Sequence, residues 1–399
     1  MPVEQGSNYS IAIEARVLSG AHHLEKNYIT TEGVESVKAV LLKEPRKVSI
    51  VDIPIPKISD DEVLVGVKYC GICATDVHAY AGDYDAVGPP FTGFMRGAYL
   101  GHEFSGVLAE VGKNVEGWEV GDRVAVKPTF RCGKCYGCMH GLQSQCNEYV
   151  GQELGTGVGD KYAGAYSKFV RVPLWDWRLE RLPKEVSFEE GALVEPLACG
   201  MHGVRKSSFK LGDEVMVIGA GPIGLGVILF LKQAGAGLIS AIEANEKRAA
   251  VAMKFGADYV LNPLKDSDVK GKVLKSTNGK GVDLVFDCSG TNWRGKDSPL
   301  DIATSVLRKG GQIVIESNMA QKSSISVLDF SVNEWRLQGS LAYNVDDFPA
   351  VLDFMRKGVM PVKEMITKKI KASDIVAEGF EVLMRPDHKE VKILVEPDE

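Results

Sequence analysis

The 399-residue sequence lacks an excess of positive charge, since 47 Lys and Arg stand against 53 Asp and Glu and give a net charge of −6. Proteins that bind nucleic acid or anionic membranes through electrostatics have the opposite balance. The sequence also lacks internal repeats and low-complexity segments, and its 45% apolar and 25% charged residues are typical of a globular protein. We therefore expect two or three domains and no nucleic-acid or membrane partner.

Residues 1–30 lack the basic start, apolar core and small-residue cleavage site of a secretory signal. We therefore expect a reducing, cytoplasmic location, in which the eight cysteines do not form a disulfide scaffold. The longest run without a charged residue, 215–231, is interrupted by Pro222 and several glycines. This pattern predicts a buried strand, turn and helix rather than a membrane span.

The pattern of apolar residues divides the chain into parts. Residues 1–37 have mixed polarity and are interpreted as an N-terminal arm of unassigned role. Residues 38–190 contain short β-rich stretches separated by Gly and Pro, which predicts a barrel-like antiparallel domain. Residues 191–334 alternate apolar strands with helical segments, which predicts a parallel sheet. Residues 335–399 are expected to complete the first domain.

A glycine-rich turn follows the first strand of the parallel part. Strand 215–218 runs into a G-x-G-x-x-G segment, and an apolar helix continues from it. The first glycine of such a turn allows the tight bend, the second lets a pyrophosphate approach, and the third lets the helix pack on the strand. The helix N-terminus offers free N–H groups to the phosphates. The predicted dinucleotide-binding residues are therefore Gly219, Gly221, Pro222, Ile223 and Gly224.

The second strand of the parallel part ends in Glu243, 19 residues after Gly224. A carboxylate in this position accepts hydrogen bonds from the adenosine ribose and repels a 2′-phosphate. We therefore predict NAD as the cofactor. Arg248, five residues further, is within reach of the same region and keeps NADP as the alternative.

Half of the cysteines fall in a single loop with the spacing C-x2-C-x2-C-x7-C, namely Cys132, Cys135, Cys138 and Cys146. Four thiolates predict a closed tetrahedral zinc site, which orders the loop and has no position for a substrate. An iron–sulfur cluster also uses four thiolates and is one alternative. A zinc-knuckle binding module is another, which the few cationic residues of the loop disfavour.

Four further residues of metal-ligating type are dispersed along the chain, namely Cys73, His102, Glu103 and Glu195. Their spacing alone does not unite them. Taken singly, each is explained equally well as an ordinary core or surface residue.

Taken in order, these segments resemble the zinc-dependent medium-chain dehydrogenases. The resemblance covers residues 38–399 and rests on Gly-Ile-Cys-Ala-Thr-Asp-Val-His (71–78), Gly-His-Glu (101–103), Glu-Pro-Leu (195–197), the cysteine loop and the glycine turn. Within this family, Glu195 in place of a cysteine ligand resembles the polyol, threonine and butanediol dehydrogenases, and segment 366–380 is most similar to the butanediol dehydrogenases. The implied fold is α/β, with a GroES-like β-barrel catalytic domain plus a Rossmann doubly wound parallel sheet.

The resemblance implies a catalytic zinc bound by Cys73, His102 and either Glu103 or Glu195, which makes two zinc ions per chain. Cys199 is a rival ligand, although it is expected to face the cofactor cleft or to pack there. With fewer than four protein ligands, zinc keeps a position for the substrate oxygen and stabilises an alkoxide.

Proton transfer is expected from two further residues near Cys73. Thr75 is expected to take the alcohol proton and His78 to pass it to solvent. A helix N-cap and a surface histidine are the respective alternatives.

The implied reaction is NAD-dependent oxidation of a small-molecule secondary alcohol, a vicinal diol or polyol such as 2,3-butanediol or sorbitol, by a homodimer or homotetramer. An amino-alcohol substrate, as in L-threonine 3-dehydrogenases, is the nearest alternative. A zinc-free quinone reductase of the same fold is disfavoured by the cysteines. Segment 83–100 is longer than the family's usual connection and is expected to shape the substrate pocket.

Overall fold

The computed structural model describes residues 29–87, 92, 94–129, 131–148, 164–173, 177–290, 295–317, 323–385 and 387–399. Most of the predicted arm, residues 1–28, and positions 88–91 and 93 of the loop expected to shape the pocket lie outside the described residues. The described residues form two units that meet at a cleft. None of the described helices is long and apolar enough to span a membrane.

The first unit is built mainly on antiparallel strands. Its strands are β1 (Ser36–Glu44), β2 (Lys47–Pro54), β3 (Glu62–Gly71), β4 (Ala98–Tyr99), β5 (Glu103–Val111), β6 (Arg123–Val126), β7 (Phe169–Pro173) and β8 (Leu179–Arg181). Its helices are α1 (Ala74–Ala81), α2 (Asp83–Val87), α3 (Tyr136–Met139) and α4 (Phe188–Gly191). Segment 83–100, which is longer than the family's usual connection, contains a short helix, α2, and a two-residue strand, β4, which pairs with β1.

The second unit alternates helices and strands. These are α5 (Val194–Lys206), β9 (Glu214–Ile218), α6 (Pro222–Gln233), β10 (Leu238–Ile242), α7 (Glu246–Phe255), β11 (Tyr259–Leu261), α8 (Val269–Ser276), β12 (Val282–Asp287), α9 (Pro299–Val306), β13 (Leu307–Ile315), α10 (Val327–Asn333) and β14 (Arg336–Gly339). The strands form a six-stranded parallel sheet in the order β11-β10-β9-β12-β13-β14. This order reverses between β9 and β12, and ligands of doubly wound sheets bind in the crevice at that point.

The parallel sheet extends past the predicted boundary at residue 334, because β14 begins at Arg336. Its four residues pair in parallel with β13 and are mostly exposed. A short exposed strand lacks the apolar run that identifies the buried strands of a parallel sheet. The apolar pattern therefore gives no signal for β14.

The end of the chain returns to the first unit. It contains α11 (Asp347–Arg356), β15 (Ile366–Lys371), α12 (Glu381–Met384) and β16 (Lys392–Glu396). Strand β16 pairs with β3 opposite Cys70 and Gly71, in a sheet of order β15-β16-β3-β5-β6-β8 with β7 also on β3. This pairing brings residues near the end of the chain beside the segment that follows β3. The expected combination of a barrel-like catalytic unit and a Rossmann unit is confirmed.

Candidate active site

The first side chain of the site is fixed by the start of α1. Cys73 is the N-cap residue, and its Sγ accepts a hydrogen bond from the Thr75 backbone N–H at 3.4 Å. Its own backbone N–H donates to Asp76 Oδ2 at 3.1 Å, which completes a capping box. These contacts hold the Cys73 sulfur at the N-terminus of α1.

Two neighbouring residues at the start of β5 complete a group of metal-ligand atoms. One ligand atom from each of Cys73, His102 and Glu103 lies within 4.8 Å of the other two. His102 Nδ1 lies 3.7 Å from Asp76 Oδ1, and neither atom has a hydrogen-bond partner among the described residues. Burial lowers the pKa of His102, but the neighbouring Asp76 and Cys73 outweigh it and raise that pKa above its usual range. These donors fit the thiolate, imidazole and carboxylate set of a zinc site.

Glu103 also belongs to a buried ion pair. Lys392 Nζ donates to Glu103 Oε2 at 2.5 Å and to the Ile72 carbonyl oxygen at 2.9 Å. Both charged side chains are only 2% exposed. Burial lowers the pKa of Lys392, but the larger combined effect of Glu103 and Cys73 raises this pKa above its usual value. Lys392 is therefore a buried cation beside the metal-ligand group.

Glu195 lies at the start of α5, outside the group formed by Cys73, His102 and Glu103. The pKa of Glu195 is raised to about 7. Burial is the largest cause; Glu103 also raises this pKa, whereas His102 lowers it. Cys199, one helical turn later, packs against the apolar core, with its Sγ 3.9 Å from Glu195 Oε1. The carboxyl is thus close enough to His102 and Glu103 for their charges to act on its pKa, but it is not part of the ligand group.

The four cysteines of the predicted structural site lie together, with their Sγ atoms within 4.8 Å of one another. Backbone N–H groups of the loop point at the sulfurs, as from Cys132 to Cys146 Sγ at 3.2 Å and from Cys135 to Cys132 Sγ at 3.3 Å. Hydrogen bonds from the loop backbone lower the pKa of Cys135 to about 6. All eight cysteines of the chain are free of disulfides. The arrangement fits a thiolate-bound metal.

The glycine turn has the geometry that a dinucleotide requires. Gly219 has a φ of +91°, and a Cβ there would lie 2.8 Å from the Cys288 carbonyl oxygen. A Cβ on Gly224 would lie 2.0 Å from the Gly219 carbonyl oxygen, whereas nothing lies within 4 Å of a Cβ built on Gly221. The middle glycine therefore faces open space at the N-terminus of α6, where a phosphate can approach the backbone.

The end of β10 supplies the acidic residue beside this turn. Glu243 Oε2 accepts a hydrogen bond from Ala220 N at 2.9 Å, and Oε1 accepts one from Asn245 N at 2.8 Å. Arg248 lies nearby on α7, where its Nε donates to the Glu390 carbonyl oxygen at 3.3 Å and its Nη2 lies 3.4 Å from His388 Nε2. Burial lowers the pKa of Arg248, and Glu243 raises it.

A cavity of about 340 Å³ joins the two units. At one end it is lined by residues around α1, including Cys73, Thr75, His78 and Tyr84. At the other end it is lined by Gly219, Gly221, Pro222, Ile223, Glu243 and Arg248. Cys73 of the metal-ligand group and the glycine turn therefore line one cavity, as direct transfer between an alcohol and a cofactor requires.

Comparisons with known proteins agree with this geometry. Residues 59–184 match the alcohol dehydrogenase GroES-like domain, and residues 222–357 match the zinc-binding dehydrogenase domain. An (R,R)-butanediol dehydrogenase of Bacillus subtilis strain 168 is 36% identical over 91% of this chain and all of that protein.

The chain belongs to the zinc-dependent medium-chain dehydrogenases. A sorbitol dehydrogenase of Bacillus subtilis strain 168 is 29% identical over 91% of this chain and 98% of that protein. The crystal structure of the 2R,3R-butanediol dehydrogenase from Bacillus subtilis superposes with a TM-score of 0.77 at 36% identity, over 91% of this chain and all of that one. This dehydrogenase is therefore an enzyme that acts on alcohols or polyols, and its family implies zinc and a nicotinamide dinucleotide.

Sequence reasoning missed several residues of this site. Lys392 is a charged residue within the otherwise apolar segment Val391 to Val395. A lysine in such a segment was the signal in the sequence that could have identified a buried, paired cation. Asp76, fully buried, accepts a hydrogen bond from Tyr166 Oη at 2.7 Å and stands behind His102. Tyr84 and Glu316 line the cavity without any local motif that marks them.

Proposed function

We propose that this dehydrogenase interconverts a vicinal diol or polyol and the corresponding hydroxyketone with NAD. The observation that supports this most directly is the single cavity shared by Cys73 of the metal-ligand group and the glycine turn at Gly219. Its relatives named for butanediol and sorbitol point to substrates of this class. The reaction moves a hydride from a carbinol carbon to the nicotinamide and releases one proton.

We assign the catalytic zinc to Cys73, His102 and Glu103, and a structural zinc to the four-cysteine loop. The support for Glu103 over Glu195 is its distance, because only Glu103 lies within 4.8 Å of both other ligand atoms. A zinc ion bound there would supply the Lewis acid that lowers the pKa of the substrate hydroxyl. Glu195, buried with a pKa of about 7, lies outside this ligand group.

Removal of the alcohol proton is assigned to Thr75 and His78. Both line the cavity, and His78 Nδ1 lies 2.7 Å from Asp83 Oδ2. The side chain of Asp83 is 41% exposed, whereas that of His78 is 10% exposed. The pair therefore offers a route from the cavity to solvent, with the histidine as the inner member.

The preference for NAD is supported by the positions of Glu243 and Arg248. Two backbone N–H groups hold the Glu243 carboxylate at the strand end, where it would accept hydrogen bonds from ribose hydroxyls. Arg248 lines the same cavity, but its Nε already donates to the Glu390 carbonyl oxygen and its Nη2 lies beside His388. We therefore expect a higher kcat/KM with NAD than with NADP.

A homodimer is supported by the exposed edge of the parallel sheet. Among the strands that the structure describes, β14 pairs only with β13. Three large apolar residues of the adjacent helix α10, Val327, Leu328 and Val332, are 61–75% exposed. An unpaired edge strand beside an apolar face is suited to pairing with a second copy of the same chain. Sedimentation equilibrium should give at least twice the chain mass, and a monomer would contradict this.

A substrate panel tests the proposed function. The purified enzyme is assayed with 2,3-butanediol, sorbitol and threonine, each with NAD and with NADP, by absorbance of the reduced cofactor. We expect turnover of a diol or polyol with NAD and two zinc ions per chain by elemental analysis. Turnover of threonine alone, a preference for NADP, or one zinc per chain would each contradict a stated part of the proposal.

A further inference from the structure

Tyr84 occupies a fixed position at the substrate end of the cavity. Helix α1 ends at Gly82, whose φ of +86° turns the chain so that α2 folds back over it. The Tyr84 ring packs edge-on against Phe94, with centroids 4.9 Å apart, and it lies 6.4 Å from the His78 ring. Tyr84 is only 8% exposed. The ring is therefore held by aromatic neighbours, and Tyr84 is among the residues that line the cavity.

The hydroxyl of Tyr84 is the unusual part of this residue. Its oxygen is completely buried and has no hydrogen-bond partner within the part of the chain that the structure describes. Burial raises the pKa of Tyr84 well above its usual value, and the nearby Cys73 raises it further, so the group remains a neutral hydroxyl. A buried hydroxyl left unpaired is destabilising, because it has lost its hydrogen bonds to water without a replacement. A ligand oxygen beside it would remove that cost.

The neighbours of this hydroxyl define what such a ligand is. Cys73 raises the pKa of the Tyr84 hydroxyl and the Thr75 side chain lowers it, so both lie near this hydroxyl. All three residues line the same cavity. Cys73 marks the place of the reacting oxygen and Thr75 the place of its proton. A second oxygen that meets Tyr84 must therefore lie on a carbon close to the reacting one.

We propose that the Tyr84 hydroxyl binds the second oxygen of a vicinal diol, on the carbon next to the one that is oxidised. This inference rests on the proposed diol or polyol activity and names the residue that selects for it. A phenol both donates and accepts, so it can pair with the hydroxyl that remains in the hydroxyketone product as well as in the diol. An alcohol without a second oxygen leaves the Tyr84 hydroxyl unpaired, and sites of this kind reject the analogue that lacks the group.

The test compares two substrates that share a carbon skeleton. Wild-type enzyme and Tyr84→Phe are assayed with 2,3-butanediol and with 2-butanol, and the ratio of the two kcat/KM values is the measured quantity. Because Phe keeps the ring and removes only the oxygen, we expect the ratio to fall by about 10-fold to 100-fold. Affinity for 2,3-butanediol in the non-reacting complex with NADH, measured by NADH fluorescence, should fall by a similar factor.

Tyr80→Phe is the matched control. The Tyr80 hydroxyl donates to Glu381 Oε1 at 2.7 Å, and Tyr80 is not among the residues that line this cavity. Its substitution removes one buried tyrosine oxygen from the same region and should leave the substrate ratio unchanged. A ratio that falls equally in both variants would indicate general loosening of α1 and would overturn the inference.

The remaining outcomes separate the inference from the proposed function. If the wild type prefers the diol and Tyr84→Phe keeps that preference, the assignment of Tyr84 is wrong while the diol activity stands. If Tyr84→Phe lowers kcat/KM for both alcohols by the same factor, Tyr84 only shapes the pocket and the assignment is again wrong. If the wild type oxidises no diol or polyol, the proposed function fails and the inference fails with it.

Discussion

The ionisation of Glu316 is expected to make the stability of this protein depend on pH. Glu316 follows β13, lines the cavity and packs against Gly203 of α5. Its Oε1 is completely buried without a hydrogen-bond partner among the described residues. Burial raises the pKa of Glu316 from its ordinary value of 4.5 to about 8. The folded protein therefore keeps this carboxyl protonated at neutral pH.

The direction of the effect follows from proton binding. The unfolded chain releases the Glu316 proton near pH 4.5, whereas the folded protein releases it near pH 8. Between these values the folded state binds one more proton, so the free energy of unfolding falls as the pH rises. At about 1.4 kcal/mol per pH unit, the stabilisation that is fully present below pH 4.5 amounts to about 5 kcal/mol and is lost by pH 8.

Urea unfolding at pH 5 and pH 8 measures this contribution. Glu316→Gln keeps the shape of the side chain and removes the titration. We therefore expect a free energy of unfolding close to the wild type at pH 5 and about 3–5 kcal/mol higher than the wild type at pH 8. Other titrating groups, including Glu195, are common to both proteins and cancel in the difference. Glu116→Gln, at an exposed position, is the control and should change neither value. A difference between wild type and Glu316→Gln that does not grow with pH would refute the reasoning.

Three further changes test other parts of the structure. Lys392→Met leaves the buried Glu103 carboxylate unpaired and should lower the free energy of unfolding of the metal-free protein by about 3 kcal/mol or more. Added zinc should reduce that loss. An equal loss with and without zinc would contradict the placement of Glu103 beside the metal. Cys135→Ser should halve the zinc content and lower the melting temperature, as elemental analysis and calorimetry can establish. Gly203→Ala places a Cβ 1.2 Å from Glu316 Oε1 and should destabilise the protein by about 1–3 kcal/mol, a loss that should shrink in a Glu316→Ala background.

The fold was largely predictable because its main signals are local. The buried strand β9, the glycine turn and helix α6 follow one another directly, so one short segment contains both the pattern and the structure that it predicts. The same holds for the four-cysteine loop, whose sulfurs converge as the short spacing suggests. Strand β14 offers no such signal, since an exposed edge strand has no apolar pattern to identify it.

The candidate site could be predicted only in part. Cys73, His102 and Glu103 were named from a resemblance, and their spacing alone did not unite them. The pairing of β3 with β5 sets Gly71 opposite Glu103, and this brings the end of one strand beside the start of the other. Lys392 reaches Glu103 from 289 residues away, a separation at which no sequence period operates.

The sequence by itself determined the two-unit architecture, the dinucleotide turn and the four-cysteine loop, because each depends on residues that are close in the chain and on periodicity that repeats over a few positions. Only the tertiary structure decided which carboxylate lies within reach of Cys73 and His102, which cation faces that carboxylate, and which hydroxyl borders the substrate end of the cavity. Those relations depend on strand pairing and on burial between distant segments, and burial is also the largest influence that raises the pKa values of Glu195 and Glu316.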